Sequence, residues 1–438
     1  LQARAANRSA RATTRARCGS LLGLAGRLAG ACLPLLLLLV SPAGRSIAEA
    51  AECGGARKCR CGDHVVVDYT LTEDLGPCEN HGLRVRRAVL LDGAGHLVRG
   101  SGTRGSFGVQ VDSKGSGARI RNLGVTGFER GVRLVKAERV RLEAVAAHDN
   151  GDRKARVGYG IDLAGGASRN VLERVQVFGN ADEGIHLGSG AHENRIVDSE
   201  IYDNSRENVY MLRNHGNVLA RSTLRGADSA AVYIKHAART VLEGNRIDGA
   251  VVHVRGASRD TRLIDNVLRD SAVVLQRYRD KDAKIGTQAP VATTISGGRI
   301  VSNAACVRVE GASETVLDGV ALECPQQVSI ADATVTAVAT RIADVRCAGP
   351  GVLERARRIE VRFVDAGGQP VPAAELRRGE GGAMIGVANA KGIYSGLVVE
   401  SSIRCPGGVA QEAIAIVVEG GGRVRKVSAA ELRGDVRL

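Results

Sequence analysis

The feature that most constrains the fold is a short phrase that returns every twenty-odd residues: Gly160-Ile161-Asp162-Leu163, Gly184-Ile185-His186-Leu187, Asn208-Val209-Tyr210-Met211, Ala231-Val232-Tyr233-Ile234 and Val251-Val252-His253-Val254. Between the copies a second phrase opens on Asn or Thr and runs through alternating aliphatics: Asn170-Val171-Leu172, Asn194-Arg195-Ile196, Asn217-Val218-Leu219, Thr240-Val241-Leu242 and Thr261-Arg262-Leu263. Self-similarity at such a period means a solenoid, because one unit cannot bury its apolar face alone. Helical repeats are longer and space apolar residues three and four apart. Here the spacing is two, with Gly, Asn and Asp at the breaks, so each repeat is a coil of short strands. The second residue of the first phrase recurs from Val109 to Val328 at steps of 20 to 24 residues, apart from two longer ones. Those two hold loops, one containing Asp152 to Val157 and the other Lys281 to Thr294. The expected architecture is all-β, a right-handed parallel β-helix of about ten coils.

On these phrases the chain resembles the right-handed parallel β-helix repeat proteins of the pectate-lyase-like superfamily. That group includes pectate, alginate and chondroitin lyases, alginate epimerases and a periplasmic copper-site maturation factor. The resemblance covers residues 61–345 and extends to an N-terminal cap: Cys61-Gly62-Asp63, Leu71-Thr72-Glu73-Asp74-Leu75, Cys78, then Leu91-Asp92-Gly93-Ala94-Gly95-His96. It implies a Cys61–Cys78 bridge, which leaves Cys53 with Cys59. Cys306 and Cys324 lie within one coil, and Cys347 is placed to tie the end of the helix to Cys405. An even set of eight cysteines after residue 50 favours disulfides. The alternative, a metal site at Cys53, Cys59 and Cys61, lacks the paired short spacings of a zinc ribbon.

Four segments are expected. Residues 1–50 read as an export signal, Arg-rich and then apolar from Leu28 to Val40, with cleavage after Ala48-Glu49-Ala50. The apolar run is too short for a stable membrane span, and Cys32, followed by Pro-containing sequence, is unlike a lipoprotein junction. Residues 52–105 form the cap and 106–347 the β-helix. After the Gly349-Pro350-Gly351 break, residues 352–438 alternate in hairpin-sized units, similar to the small β-sandwiches of carboxypeptidase-regulatory-like or immunoglobulin-like type. The net charge is +14, of which residues 1–50 supply +6. The remaining arginines are scattered among acids, with 3% aromatic residues and no Trp. Nucleic-acid binding wants a basic stripe interleaved with aromatics, and that class is set aside.

In a strand, side chains alternate between faces. If Ile161 and Leu163 point inward, then Arg133, Asp162, His186, Tyr210, Tyr233 and His253 form one outward column. A second column carries Lys235, Arg255 and Gln276. Tyr210 and Tyr233 offer a ring platform for a pyranose, flanked by His186 and His253. A uronate lyase or C5-epimerase must neutralise a carboxylate, remove the proton beside it and, in a lyase, protonate the leaving oxygen. Arg255 is the expected carboxylate partner, with Lys235, made a base by its cationic neighbour, or a His as proton acceptor. Tyr210 or Tyr233 is the donor, and Asp162, Arg133 and Gln276 line the substrate. The Lys–Arg pair on neighbouring coils is similar to that of chondroitinase-B-like and alginate lyases, whereas an Asp-Pro-His-Asp stretch and an outward Asp stack are missing. Calcium is the one cofactor with candidate ligands, Glu183, Glu207 and Asn208 at the turns. Asp162 as the sole outward carboxylate disfavours a paired-carboxylate hydrolase, and two Met residues disfavour copper handling. The expectation is a secreted, periplasmic or cell-surface protein whose partner is an acidic polysaccharide. The alternative is a non-catalytic glycan- or partner-binding scaffold.

Overall fold

The computed structural model describes residues 50–280, 286–406 and 412–438. Apart from Ala50, the expected export leader with Cys32 lies outside the described residues, as do positions 281–285 of the second long loop. Among the described residues no helix is long and apolar enough to cross a membrane.

One parallel sheet of fourteen strands runs from Glu52–Cys53 to Val345–Cys347. Each coil then bends into two further strands that stack on their own kind. Arg195–Val197 lies between Val171–Glu173 and Val218–Ala220, and Glu200–Tyr202 between Gln176–Phe178 and Thr223–Arg225. The chain is a parallel β-helix, and its inward aliphatics make one continuous core in which Val132, Ile161, Ile185, Val209, Val232 and Val252 are fully buried.

Stacking begins earlier than the cap boundary implies. Glu52–Cys53, His64–Val65 and Leu83–Val85 already stack in register up to Phe107–Asp112, and with Val345–Cys347 at the far end they account for fourteen strands in place of about ten. These first strands are only two or three residues long and offer little apolar area. Disulfides Cys53–Cys59 and Cys61–Cys78 hold them instead. The other two bridges are Cys306–Cys324 and Cys347–Cys405, so all four expected pairings are formed.

The corners are held by amide ladders. Asn170 donates from its backbone N–H and its Nδ2 to Asn194 Oδ1 (3.0 and 2.9 Å), and Asn194 does the same to Asn217 Oδ1 (3.0 and 3.1 Å). Each Nδ2 also reaches a carbonyl of a neighbouring coil, as Asn194 does to Ala167 (3.0 Å). A second ladder, Asn150–Asn180–Asn204–Asn208, runs up the corner where the chain enters the first sheet (Asn–Asn Nδ2 to Oδ1 distances 3.0, 2.9 and 2.9 Å). Sequence periodicity exposed the first ladder and not the second, whose members are unevenly spaced.

No linker separates the helix from the C-terminal module. The strand Gly351–Val364 pairs through Gly351–Ala356 with Ala333–Val338 of the last coil. Along Gly351–Arg362 it also pairs with Ile393–Cys405, and through Val361–Val364 with Gly434–Arg437. A four-stranded sheet of Met384–Val387, Glu375–Arg378, Ala415–Gly420 and Arg423–Ser428 packs on these strands over Val361, Phe363, Leu376, Val398, Ile416 and Val418. The shared strand and the Cys347–Cys405 bridge cover the apolar end of the solenoid.

Replacing Asn194 by Ala orphans the Asn170 N–H inside the core and takes one hydrogen bond each from Asn170 Nδ2, the Ala167 carbonyl and Asn217 Oδ1. A loss of about 2–3 kcal/mol is expected in denaturant unfolding, against no measurable change for Arg221→Ala, which breaks only an exposed ion pair with Asp198.

Candidate functional site

The register places the expected columns side by side. Arg133, Asp162, His186, Tyr210, Tyr233 and His253 are direct cross-strand partners in that order, and Lys235, Arg255 and Gln276 follow one another in the adjoining column.

Where each strand begins, alternation breaks. Gly131, Gly160 and Gly184 point inward like the aliphatic residue after them. A Cβ on these glycines would come within 2.8, 2.7 and 2.6 Å of Nδ2 of Asn150, Asn180 and Asn204. The corner ladder thus requires a residue without a side chain there, and at the next coil Asn208 fits by joining the ladder. With two successive residues turned in, the preceding one is delivered to the outer face. Arg130, Tyr159, Glu183 and Glu207 therefore form a third column that parity missed. The signal was in the sequence as the glycine opening each phrase.

This column changes the expected roles. Asp162, though on the outer face, is buried. Its carboxylate accepts from Arg133 Nε (3.2 Å) and from His186 Nδ1 (3.1 Å), with Arg130 Nε at 3.4 Å. An Nδ1–H bonded to Asp162 leaves Nε2 of His186 as the basic atom. That edge of the ring is open because position 188 is glycine, whose Cβ would sit 3.4 Å from Cε1.

Glu183 and Glu207 are not solvated turn residues; they are 3% and 2% exposed and gather around Arg206. Arg206 donates to Asp182 (2.9 Å) and Glu183 (3.2 Å) and lies 3.4 Å from Glu207, which also accepts from Ser229 (3.1 Å). The expected calcium ligation is corrected here. Asn208 spends its amide on Asn204 and the Arg225 carbonyl, and the two glutamates are committed to one guanidinium. Among the described residues no group of three or more His, Cys, Asp or Glu is placed to hold a metal. Burial, with the charge of Asp182 beside it, pushes the Glu183 carboxyl up to about 7. Burial raises Glu207 as well, and raises Tyr159 to about 12. Tyr210 is also raised by burial, with Tyr233 and Glu183 adding to it, and stays a neutral phenol.

The rings fan open along the column. His186 and Tyr210 lie 5.7 Å apart at 17°, Tyr210 and Tyr233 5.4 Å at 42°, and Tyr233 and His253 5.2 Å at 69°. On another face of the solenoid His148, Phe178 and Tyr202 stack 4.8 and 4.9 Å apart at 3° each, closing their faces against one another. Beyond Tyr233, Arg255 Nη1 donates to the Tyr233 phenol oxygen (3.1 Å), while its buried Nε has no hydrogen-bond partner among the described residues. His253 donates from Nε2 to Gln276 Oε1 (3.3 Å); Gln276 in turn donates to Glu310 (3.0 Å) and is a bridge more than a substrate contact. Burial, then the Arg255 charge, lowers His253 to about 4, so its imidazole is neutral.

Lys235 is not the free base expected. Its ammonium sits over the Tyr278 ring, 3.7 Å from the centroid, and Arg255 lies over the same ring at 5.3 Å. Tyr278 pairs with Gln288, and Asp280 lies beside His236 (3.7 Å). The first long loop closes as an Asp152–Val157 bridge and, with Gly102, Arg104 and Glu129, lines a cavity of about 240 Å³ next to Arg130.

A family model described as periplasmic copper-binding protein (NosD) matches residues 91–303. No curated protein matches the sequence. Among solved structures the periplasmic alginate epimerase AlgG is similar over 59% of this chain and 67% of its own, at 15% identity and a TM-score of 0.42. An alginate lyase from Paenibacillus is similar over 69% of this chain and 99% of its own, at 17% identity and 0.39. The A-module of a mannuronan C-5 epimerase from Azotobacter vinelandii is similar over 69% and 82%, at 17% identity and 0.34.

Because folded Glu183 keeps its proton up to about pH 7 while the unfolded side chain releases it near 4.5, the folded chain binds more protons in that window. Stability therefore falls as pH rises through it. Glu183→Gln, which mimics the protonated acid, is expected to match the wild type in melting temperature at about pH 5 and to exceed it at about pH 8. Equal melting temperatures at both pH values count against a proton on Glu183.

Proposed function

We propose that this is an exported carbohydrate-active β-helix that eliminates across, or epimerises, a uronate in an acidic polysaccharide bound along the fan from His186 to Arg255. The observation that carries the reading is the Arg255–Tyr233 pair. The guanidinium faces a phenol instead of a carboxylate and keeps a buried donor unspent beside two splayed aromatic rings. Four disulfides support export, since such bridges persist in oxidising compartments.

A uronate resting on Tyr210 and Tyr233 would direct its carboxylate to Arg255 Nε, which delocalises the charge that builds as the adjacent C5–H bond breaks. Tyr233, its phenolic proton first released to solvent and the phenolate held by Arg255 Nη1, takes that proton and becomes the neutral phenol. The same oxygen then returns the proton to the departing O4, giving an unsaturated uronate. Epimerisation follows instead when C5 is reprotonated from the opposite face; His186, on the far side of the Tyr pair, can supply that proton once its Nε2 has taken one from solvent, Asp162 holding the imidazolium that results. Tyr210, kept protonated, is the platform. Lys235 holds Tyr278 in place and adds positive potential.

Hydrolysis by paired carboxylates is revived by the third column but remains disfavoured. Glu183 has the protonation of a general acid, yet the Asp162 oxygens are taken up by arginines and His186, and Glu207 by Arg206 and Ser229. Copper, named in the description of the matched family, does not fit the residues present. The eight cysteines after residue 50 are in disulfides, Met211 is buried in the core, and Met384 stands exposed in the C-terminal module.

Incubated with alginate, pectate, chondroitin and heparan, the protein is expected to release ultraviolet-absorbing unsaturated uronates or to exchange the C5 hydrogen with deuterated solvent. Tyr233→Phe and Arg255→Ala each lower that rate by about 10²- to 10⁴-fold, whereas Tyr210→Phe, which keeps the ring, has a small effect. A fully active Tyr233→Phe sinks this assignment. Absence of both signals across the panel shifts the reading to a binding scaffold.

A further inference from the structure

On the outer face of the first sheet, the cations on the N-terminal side of the Tyr pair are all engaged. Arg84 lies over the Phe107 ring (4.8 Å), Arg86 faces Asp112 (3.7 Å), and Arg130 and Arg133 share Asp162. The C-terminal side is different. Arg255, over the Tyr278 ring (5.3 Å) and bonded to the Tyr233 phenol, has no carboxylate partner and keeps a buried Nε unspent. The register carries the His253 column onward through Val274 to Arg308, and through Ser329 to Arg346. Both arginines are exposed, and among the described residues neither lies within ion-pair reach of an acid. Glu310, on the same strand as Arg308, is already bound by Gln276 (3.0 Å) and Arg277 (3.4 Å). Unpaired arginines therefore recur on every second strand, roughly 10 Å apart along the solenoid. The strands between them present only Val274 and Gln276, then Ser329 and Ala331.

We propose that Arg255, Arg308 and Arg346 form an extended track for an acidic glycan that turns a carboxylate toward the protein at every second sugar, running from the Tyr platform toward the C-terminal end of the helix. The proposal rests on the uronate reading above and adds the repeat of the ligand. One pyranose of an extended chain covers about one strand spacing, so a two-strand period matches a disaccharide. Two polymers have that presentation. One is a copolymer in which uronate alternates with an uncharged sugar. The other is a homouronan wound as a two-fold ribbon, with alternate carboxylates facing away.

The test is calorimetric binding of the whole chain to size-defined oligosaccharides, from disaccharide to octasaccharide, of desulfated chondroitin and of mannuronan. Affinity is expected to rise in disaccharide steps. Arg346→Ala should weaken the longest ligands about fivefold while leaving the disaccharide unchanged, and Arg308→Ala should act on shorter ligands too. Added salt should erase these differences. Steps with chondroitin alone identify the alternating copolymer; steps with mannuronan as well identify the ribbon. Affinity that is flat with length, or losses no larger than those of Lys391→Ala on the C-terminal module, overturns the track and leaves the uronate site standing. If neither series binds at any length, the uronate reading itself fails.

Discussion

Register between coils is the constraint on which the rest of this molecule depends. A parallel strand that slips by one residue turns every inward aliphatic outward, and every outer column is assembled from residues some twenty apart in sequence. Backbone ladders alone tolerate such slips. The buried Asn ladders do not, because each carboxamide must meet both a backbone N–H and the next carboxamide, and a slip would bury all of them unpaired. Their second consequence is chemical. By filling the corner before the first sheet they forbid a side chain at Gly131, Gly160 and Gly184, and that prohibition sends Arg130, Tyr159 and Glu183 to the outer face.

The fold was legible because a period of two inside a period of twenty-odd leaves few architectures, and the two main outer columns follow from alternation once one inward residue is known. What escaped had local causes. Parity assumes an unbroken pleat, and it fails at the strand starts, where Gly160 and Ile161 both turn in; alternation alone therefore leaves Glu183 and Glu207 in the turns and Asp162 as the sole outward carboxylate. Lys235 was placed correctly in its column, but its partner Tyr278 comes from a loop outside the repeat, where no periodicity reports position. The cap was legible as a motif, yet its strands were too short for their stacking to show.

Position on a β-helix face does not by itself distinguish a site from a covering. Two aromatic columns among the described residues supply the contrast. His148, Phe178 and Tyr202 are parallel to within 3° and offer only their edges. From His186 to His253 the planes turn progressively, exposing part of each ring, and the donors around them are unevenly satisfied: Asp162 is crowded with partners while Arg255 keeps one free. A surface built only to cover the sheet gains from closing rings and pairing charges.

The same reasoning applies more strongly to the acids. Burying Glu183 and Glu207, with one oxygen of each lacking a hydrogen bond, costs the fold free energy, since desolvation of a carboxylate is recovered only with complete pairing. The solenoid has no architectural need of them. The register places Phe107 opposite Arg130 and Ala230 opposite Glu207, so neighbouring coils close the same position with an apolar side chain. Carboxyl groups held against that alternative, one of them still carrying its proton near neutrality, change the potential around His186 and add to the burial that keeps Tyr210 a neutral phenol. The cost is local to those coils and so is its effect, which ties the acids to what the face does and not to how the chain folds.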